Sequence, residues 1–141
     1  MNGWDPAASA ILTVLAQTAR GPKRGGLFAL WLTMRVAQDF VLDPPLPERA
    51  QRRRVQALER RLSSLTMPPP LRRALASAVS QLREVRPETA AQVLSQLVAP
   101  ARDTGGNEAG EAVAAAARKA RQAVGEASKR VSGYVGKRGS E

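Results

Sequence analysis

Neither cysteine nor histidine occurs anywhere in the 141 residues. The first absence excludes disulfides, thiolate nucleophiles and the commonest zinc cages. The second removes the usual general base near neutral pH, the Ser-His and Cys-His nucleophile pairs and the commonest metal ligand. Only Asp, Glu and Lys remain as acid–base candidates. Aromatic residues make up 4% of the chain and none falls between positions 47 and 102, so that half offers no platform for stacking bases. No run of about twenty apolar residues exists either. The greasiest stretch, 27–42, is interrupted by Arg35 and Asp39.

Acidic residues are in short supply as well. Twelve Asp and Glu face twenty-two Lys and Arg, a net charge of +10. Such a balance favours an acidic protein surface, nucleic acid or an anionic membrane as partner. Most of the basic residues are Arg, in a chain also crowded with Ala, Gly and Pro, as the codon supply of a GC-rich bacterial genome produces. Codon supply explains Arg over Lys, but not the net excess. An apolar stretch at 7–16 loosely mimics a signal peptide, yet Asp5 stands where a basic n-region belongs, and the expectation is a cytoplasmic protein.

Asp5-Pro6 is a good helix start and Gly21-Pro22 a stop, which predicts a first helix over 6–20, apolar along Ala8, Ile11, Leu12 and Leu15. After a loop at 21–26, residues from Leu27 to Leu32 are apolar all round, the pattern of a central buried helix. Arg35 and Asp39, four apart, are placed to pair on its polar edge. Trp4, Phe28, Trp31 and Phe40 read as core. Asp43-Pro44-Pro45-Leu46-Pro47 is a rigid break.

Residues 47–86 then form a basic helical hairpin. Val55, Leu58, Leu62 and Leu65 make one short seam, Leu71, Leu75, Ala78, Val79, Leu82 and Val85 another, and Thr66-Met67-Pro68-Pro69-Pro70 lies between them. So short a connection makes the helices antiparallel neighbours. The two seams suit either closing the monomer or joining two copies as a homo-oligomer. Pro87 opens a fifth helix at 88–99, with Ala90, Val93, Leu94, Leu97 and Val98 as its stripe, and Pro100 stops it. Asp103-Thr104-Gly105-Gly106-Asn107 combines glycines with small polar residues as linkers do.

The expected fold is therefore all-α: a bundle of about five helices over 4–102, a flexible linker at 103–110, an Ala-rich basic helix at 111–131 and a disordered tail at 132–141. The tail's seam of Val113, Ala117, Ala120, Val124, Ala127, Val131 and Tyr134 is mostly alanine. Alanine gives high helix propensity but a weak drive to dock. The tail's composition resembles the Ala- and Lys-rich tails of chromatin proteins and granule-coating phasins, a likeness that assigns no family.

At 100° per residue, with the first hairpin seam inward, Arg49, Arg53 and Arg60 fall together on the opposite face and Arg52, Arg54 and Arg61 flank them. Only Arg52 has an acid correctly placed, Glu48 four residues before it. On the second hairpin helix Arg72 and Arg83 share a flank and Arg73 faces outward. Guanidinium forks on such a surface suit carboxylates or phosphates, although a plain solvated arginine face has the same appearance. No Asn or Gln clusters there to read base edges. Arg118, Lys119, Arg121, Lys129 and Arg130 are the corresponding contacts of the tail. Lys23, Arg24, Gly25 and Gly26 precede a helix start, a weak anion-loop candidate that lacks the Lys-[Ser/Thr] of a phosphate-binding loop. Asp39, Asp43 and Glu48 are explained by capping, helix dipole and the Arg35 pair without catalysis.

No catalytic residue, metal site or cofactor is expected. The leading reading is a non-enzymatic interaction protein that engages an acidic partner protein through its hairpin and tail. Binding to the phosphate backbone of nucleic acid without sequence specificity comes second. Peripheral binding to an anionic membrane is third, since the tail offers Val and Ala where interfacial helices carry Leu, Phe or Trp.

Overall fold

The computed structural model describes residues 21–41 and 47–139, the side chains of 22, 23 and 127–139 excepted. These residues contain five helices and no strand: α1 (Pro22–Asp39), α2 (Glu48–Ser64), α3 (Pro69–Leu82), α4 (Pro87–Gln96) and α5 (Val98–Gly139). The fold is a small all-α bundle. The helix expected at 6–20, Trp4 and the break at 42–46 with Asp43 lie outside the described residues. No helix among those described is long and apolar enough to cross a membrane.

Helix α1 is central, packing against all four others. Its all-round apolar sequence meets that requirement, with Leu27, Ala29, Leu30, Met34 and Ala37 buried and Phe40 buried just beyond its end. The helix starts earlier than its sequence suggests. Pro22 occupies the first turn and residues 23–26 are already helical, so the expected loop at 21–26 is instead the start of α1. Packing supplies the reason. A Cβ on Gly25 would collide with the carbonyl oxygen of Thr66, and one on Gly26 would stand 2.6 Å from Leu71 Cδ2. The two glycines let the α2–α3 connection lie directly on α1, and the packing overrides their poor helix propensity.

Helices α2 and α3 form the expected hairpin. Pro47 and Glu48 open α2, with Glu48 and Arg61 at the ends that suit their charges. Val55, Leu58 and Leu62 are buried and Leu65 half-buried, as the seam predicts, and Gln51 joins them one turn earlier. Met67 is buried in the turn, and Pro69 and Pro70 start α3 where missing N–H groups cost nothing. Leu71, Leu75, Ala78, Val79 and Leu82 then face the core. The chain leaves α3 through Val85 in the left-handed region (φ 49°), an uncommon conformation for a β-branched residue. Arg86 is extended before Pro87, as the residue preceding a proline should be.

The largest departure from expectation is at 103–110. The segment is helical on both sides of Gly106, whose φ of 80° and ψ of −171° break α5 into two arms. A Cβ on Gly110 would lie 3.4 Å from Cα of Arg102, whereas a straight helix separates such residues by roughly 12 Å. The chain thus turns back sharply at one glycine instead of passing through a linker. Ala109, Val113, Ala116, Ala117 and Ala120 of the second arm are buried, and α5 packs against α4 and α1. Alanine's small side chain buries little area per residue, but it allows helix axes to approach closely. Arg102 and Glu111 face each other across the bend at 3.7 Å. The helix continues to Gly139, through the segment from Ser132 that was expected to lack structure.

Candidate functional site

Helix α2 carries six arginines, and their surroundings divide them evenly. Three are engaged. Arg52 pairs with Glu48 at 2.6 Å, the expected i,i+4 contact, with both side chains more than half exposed, so it contributes at most about 1 kcal/mol. Arg54 donates to the carboxylate of Asp39 on α1. Arg61 lies over the ring of Phe28, 5.6 Å from its centroid. The other three are Arg49, Arg53 and Arg60, the set that the wheel geometry placed opposite the seam. All three are exposed, and no described carboxylate lies within ion-pair distance of them. Four positions separate Arg49 from Arg53 and seven separate Arg53 from Arg60, so the cations line up along one edge over roughly 16 Å.

Helix α3 extends that surface unevenly. Arg73 is exposed, facing outward as expected, and has no partner among the described residues. Arg72 instead donates to the carbonyl of Leu65 at 2.7 Å, satisfying an acceptor left over at the end of α2. Arg83 is bound by Glu59 through Nε (2.9 Å) and Nη2 (2.7 Å), a bidentate bridge between the hairpin helices. The Glu59 carboxyl is held below its ordinary value, chiefly by the hydrogen bond from Arg83. Arg83 is therefore already matched by a carboxylate within the hairpin.

The expected Arg35–Asp39 pair is also replaced. Asp39 takes Arg54 from the neighbouring helix, while the Arg35 guanidinium lies over Trp31, 5.6 Å from its centroid. Phe28 and Trp31 stack with centroids 5.8 Å apart and are half-buried, so of the described aromatics only Phe40 is true core. Burial pushes the Asp39 carboxyl above its ordinary value, against the opposing pull of Arg54 and Arg35. Between its ordinary value of 3.8 and that raised value the native state holds a proton the unfolded chain has lost. Asp39 thus contributes stability that is fully present below the lower limit and is lost as pH rises through the window. The Asp39→Asn protein is expected to melt at a higher temperature than wild type at pH 7, with the difference closing as pH falls below the window. A lower melting temperature at pH 7 would contradict this assignment.

The described tail cations lie on the second arm of α5. Arg118 and Lys119 are exposed, and Arg121 reaches Ser95 Oγ on α4 at 3.0 Å. The Lys129 and Arg130 side chains lie outside the described residues. The anion-loop candidate forms the first turn of α1. The N–H groups of Arg24 and Gly25 both point to the Gly21 carbonyl, Gly25 and Gly26 are packed against the hairpin turn, and the Arg24 side chain is exposed. The Lys23 side chain is outside the described residues. Among the described residues no group of three acidic side chains is placed to hold a metal ion.

Sequence reasoning missed Gln51, Glu59 and the two cross-helix bridges. Glu59 and Arg83 are twenty-four positions apart, and Asp39 and Arg54 fifteen, beyond the reach of any i,i+4 rule. Comparison with known protein families, curated proteins and solved structures returns no match to this chain.

Proposed function

We propose that this chain is a non-enzymatic interaction protein whose arginine face on the α2–α3 hairpin binds an acidic partner protein. The observation that carries the reading is the unneutralised row of Arg49, Arg53 and Arg60. Every other arginine of α2 has a partner, and these three have none among the described residues. Arg73, also exposed, adds a fourth cation on the next helix of the hairpin. The second reading, a phosphate-backbone binder, draws on the same row, because a guanidinium fork accepts carboxylate and phosphate alike.

Titration of the full chain with polyglutamate at low salt is expected to show binding that weakens as salt rises and is lost in the Arg49→Glu, Arg53→Glu, Arg60→Glu triple variant. The substituted side chains are exposed, so the variant should keep its helical content and melting temperature. Equal binding by the two proteins would overturn the proposal. Duplex DNA binding that falls steeply between about 50 and 200 mM salt, without polyglutamate binding, would favour the second reading.

A further inference from the structure

The seam between the hairpin helices is open on its outer side. Two cavities of about 240 and about 350 Å³ lie along it and share Glu59 and Arg83 as the wall between them. The larger is bordered by Arg52 and Val55. The smaller has Leu62, Met67, Leu75 and Val79 at its base, with Ser63 and Ala76 on its rims and Arg72 at the end nearest the turn. Apolar side chains thus form the floor, while three guanidinium groups, Arg52, Arg83 and Arg72, mark the groove from end to end. Arg72 on α3 and Arg83 at its C-terminal cap are eleven residues apart, roughly 16 Å, or about three turns of a docked helix.

We infer that this groove docks an acidic, amphipathic segment of the partner protein, with an apolar side chain seated between Leu62 and Val79 and carboxylates facing Arg72, Arg83 and Arg52. The inference rests on the acidic-partner reading above and gives it a location and a ligand shape. Charge complementarity selects the occupant. Arg52 and Arg83 are already matched by Glu48 and Glu59, so the excess positive charge that calls for acids comes from Arg72 and the neighbouring row of Arg49, Arg53 and Arg60. The apolar floor calls for a side chain that a sugar–phosphate backbone does not have. Glu59 already shows how a carboxylate sits there, taking both donors of Arg83 across the groove. A partner carboxylate would compete with Glu59 for that fork. Releasing Glu59 would also join the two cavities into one trough.

Fluorescence anisotropy of the full chain tests this with three labelled probes: a glutamate-rich peptide bearing leucines at helical i, i+3, i+7 spacing, the same peptide with serine for leucine, and duplex DNA. The leucine peptide should bind at least about tenfold more tightly than the serine peptide, the gain expected from partly burying a leucine. Ala76→Trp and Ser63→Trp fill the groove from opposite rims at exposed positions. Either should reduce binding of the leucine peptide to the level of the serine peptide while leaving the circular dichroism unchanged. Glu59→Gln removes the resident competitor and should tighten binding of the leucine peptide severalfold. Equal binding of the two peptides, both lost in the arginine triple variant, would overturn the groove and leave the acidic-partner reading standing. Binding of neither peptide would overturn both. Binding of DNA alone would overturn the groove in favour of a phosphate ligand.

Discussion

A chain ended at Gly105 is expected to lose its cooperative unfolding transition and to bind hydrophobic dyes. The second arm of α5 would be gone, and with it the buried side chains Ala109, Val113, Ala116, Ala117 and Ala120. Their removal also uncovers part of the apolar face on α4, where Ala90, Ala91, Val93 and Leu94 are buried, and part of α1. Burial terms of this kind sum to roughly 5 kcal/mol or more, comparable with the whole net stability of a small domain. A truncated protein that melts cooperatively within a few degrees of the full chain would show that residues beyond Gly105 are an appendage. The prediction also constrains functional work. Loss of a partner on truncation would report unfolding, so substitution of exposed arginines is the cleaner probe of the surface.

Gly25→Ala is expected to destabilise the fold by about 2–3 kcal/mol, read as a drop of roughly 8 °C or more in melting temperature. The sign is what makes the prediction informative. Alanine inside an unencumbered helix stabilises it by about 1 kcal/mol over glycine. At Gly25 the added methyl would meet the Thr66 carbonyl, a backbone atom that cannot turn aside as a side chain does. Gly125 provides the control, since its Cβ position has nothing within 4 Å. Gly125→Ala should raise the melting temperature slightly. If both substitutions stabilise, the hairpin turn does not lie on α1 as described.

The sequence carried the hairpin well because its information there is periodic. Once Val55, Leu58 and Leu62 point inward, the position of Arg49, Arg53 and Arg60 follows from the helix repeat alone. Glycine and charge pairing were less legible, for different physical reasons. Gly25-Gly26 and Gly105-Gly106 both resemble punctuation in one dimension, yet the first pair permits a close approach and the second contains a sharp reversal. Which role a glycine has depends on what lies beside it in space. Composition also undervalued the alanine seam of α5, because docking there relies on the number and closeness of small contacts. The bridges Asp39–Arg54 and Glu59–Arg83 depend on how helices cross, and they decide which cations remain available. That selection turned a basic patch into three arginines without a partner among the described residues, beside an apolar groove whose own arginines are already engaged.

The most direct test of the account is affinity purification from the native cell at moderate salt, with wild type and the Arg49→Glu, Arg53→Glu, Arg60→Glu variant each split into nuclease-treated and untreated halves. Wild type should bring down a stoichiometric acidic protein that survives nuclease treatment, and that protein should be missing with the variant. Recovery of the same protein by the charge-reversed variant, or co-purification that nuclease abolishes, would contradict it.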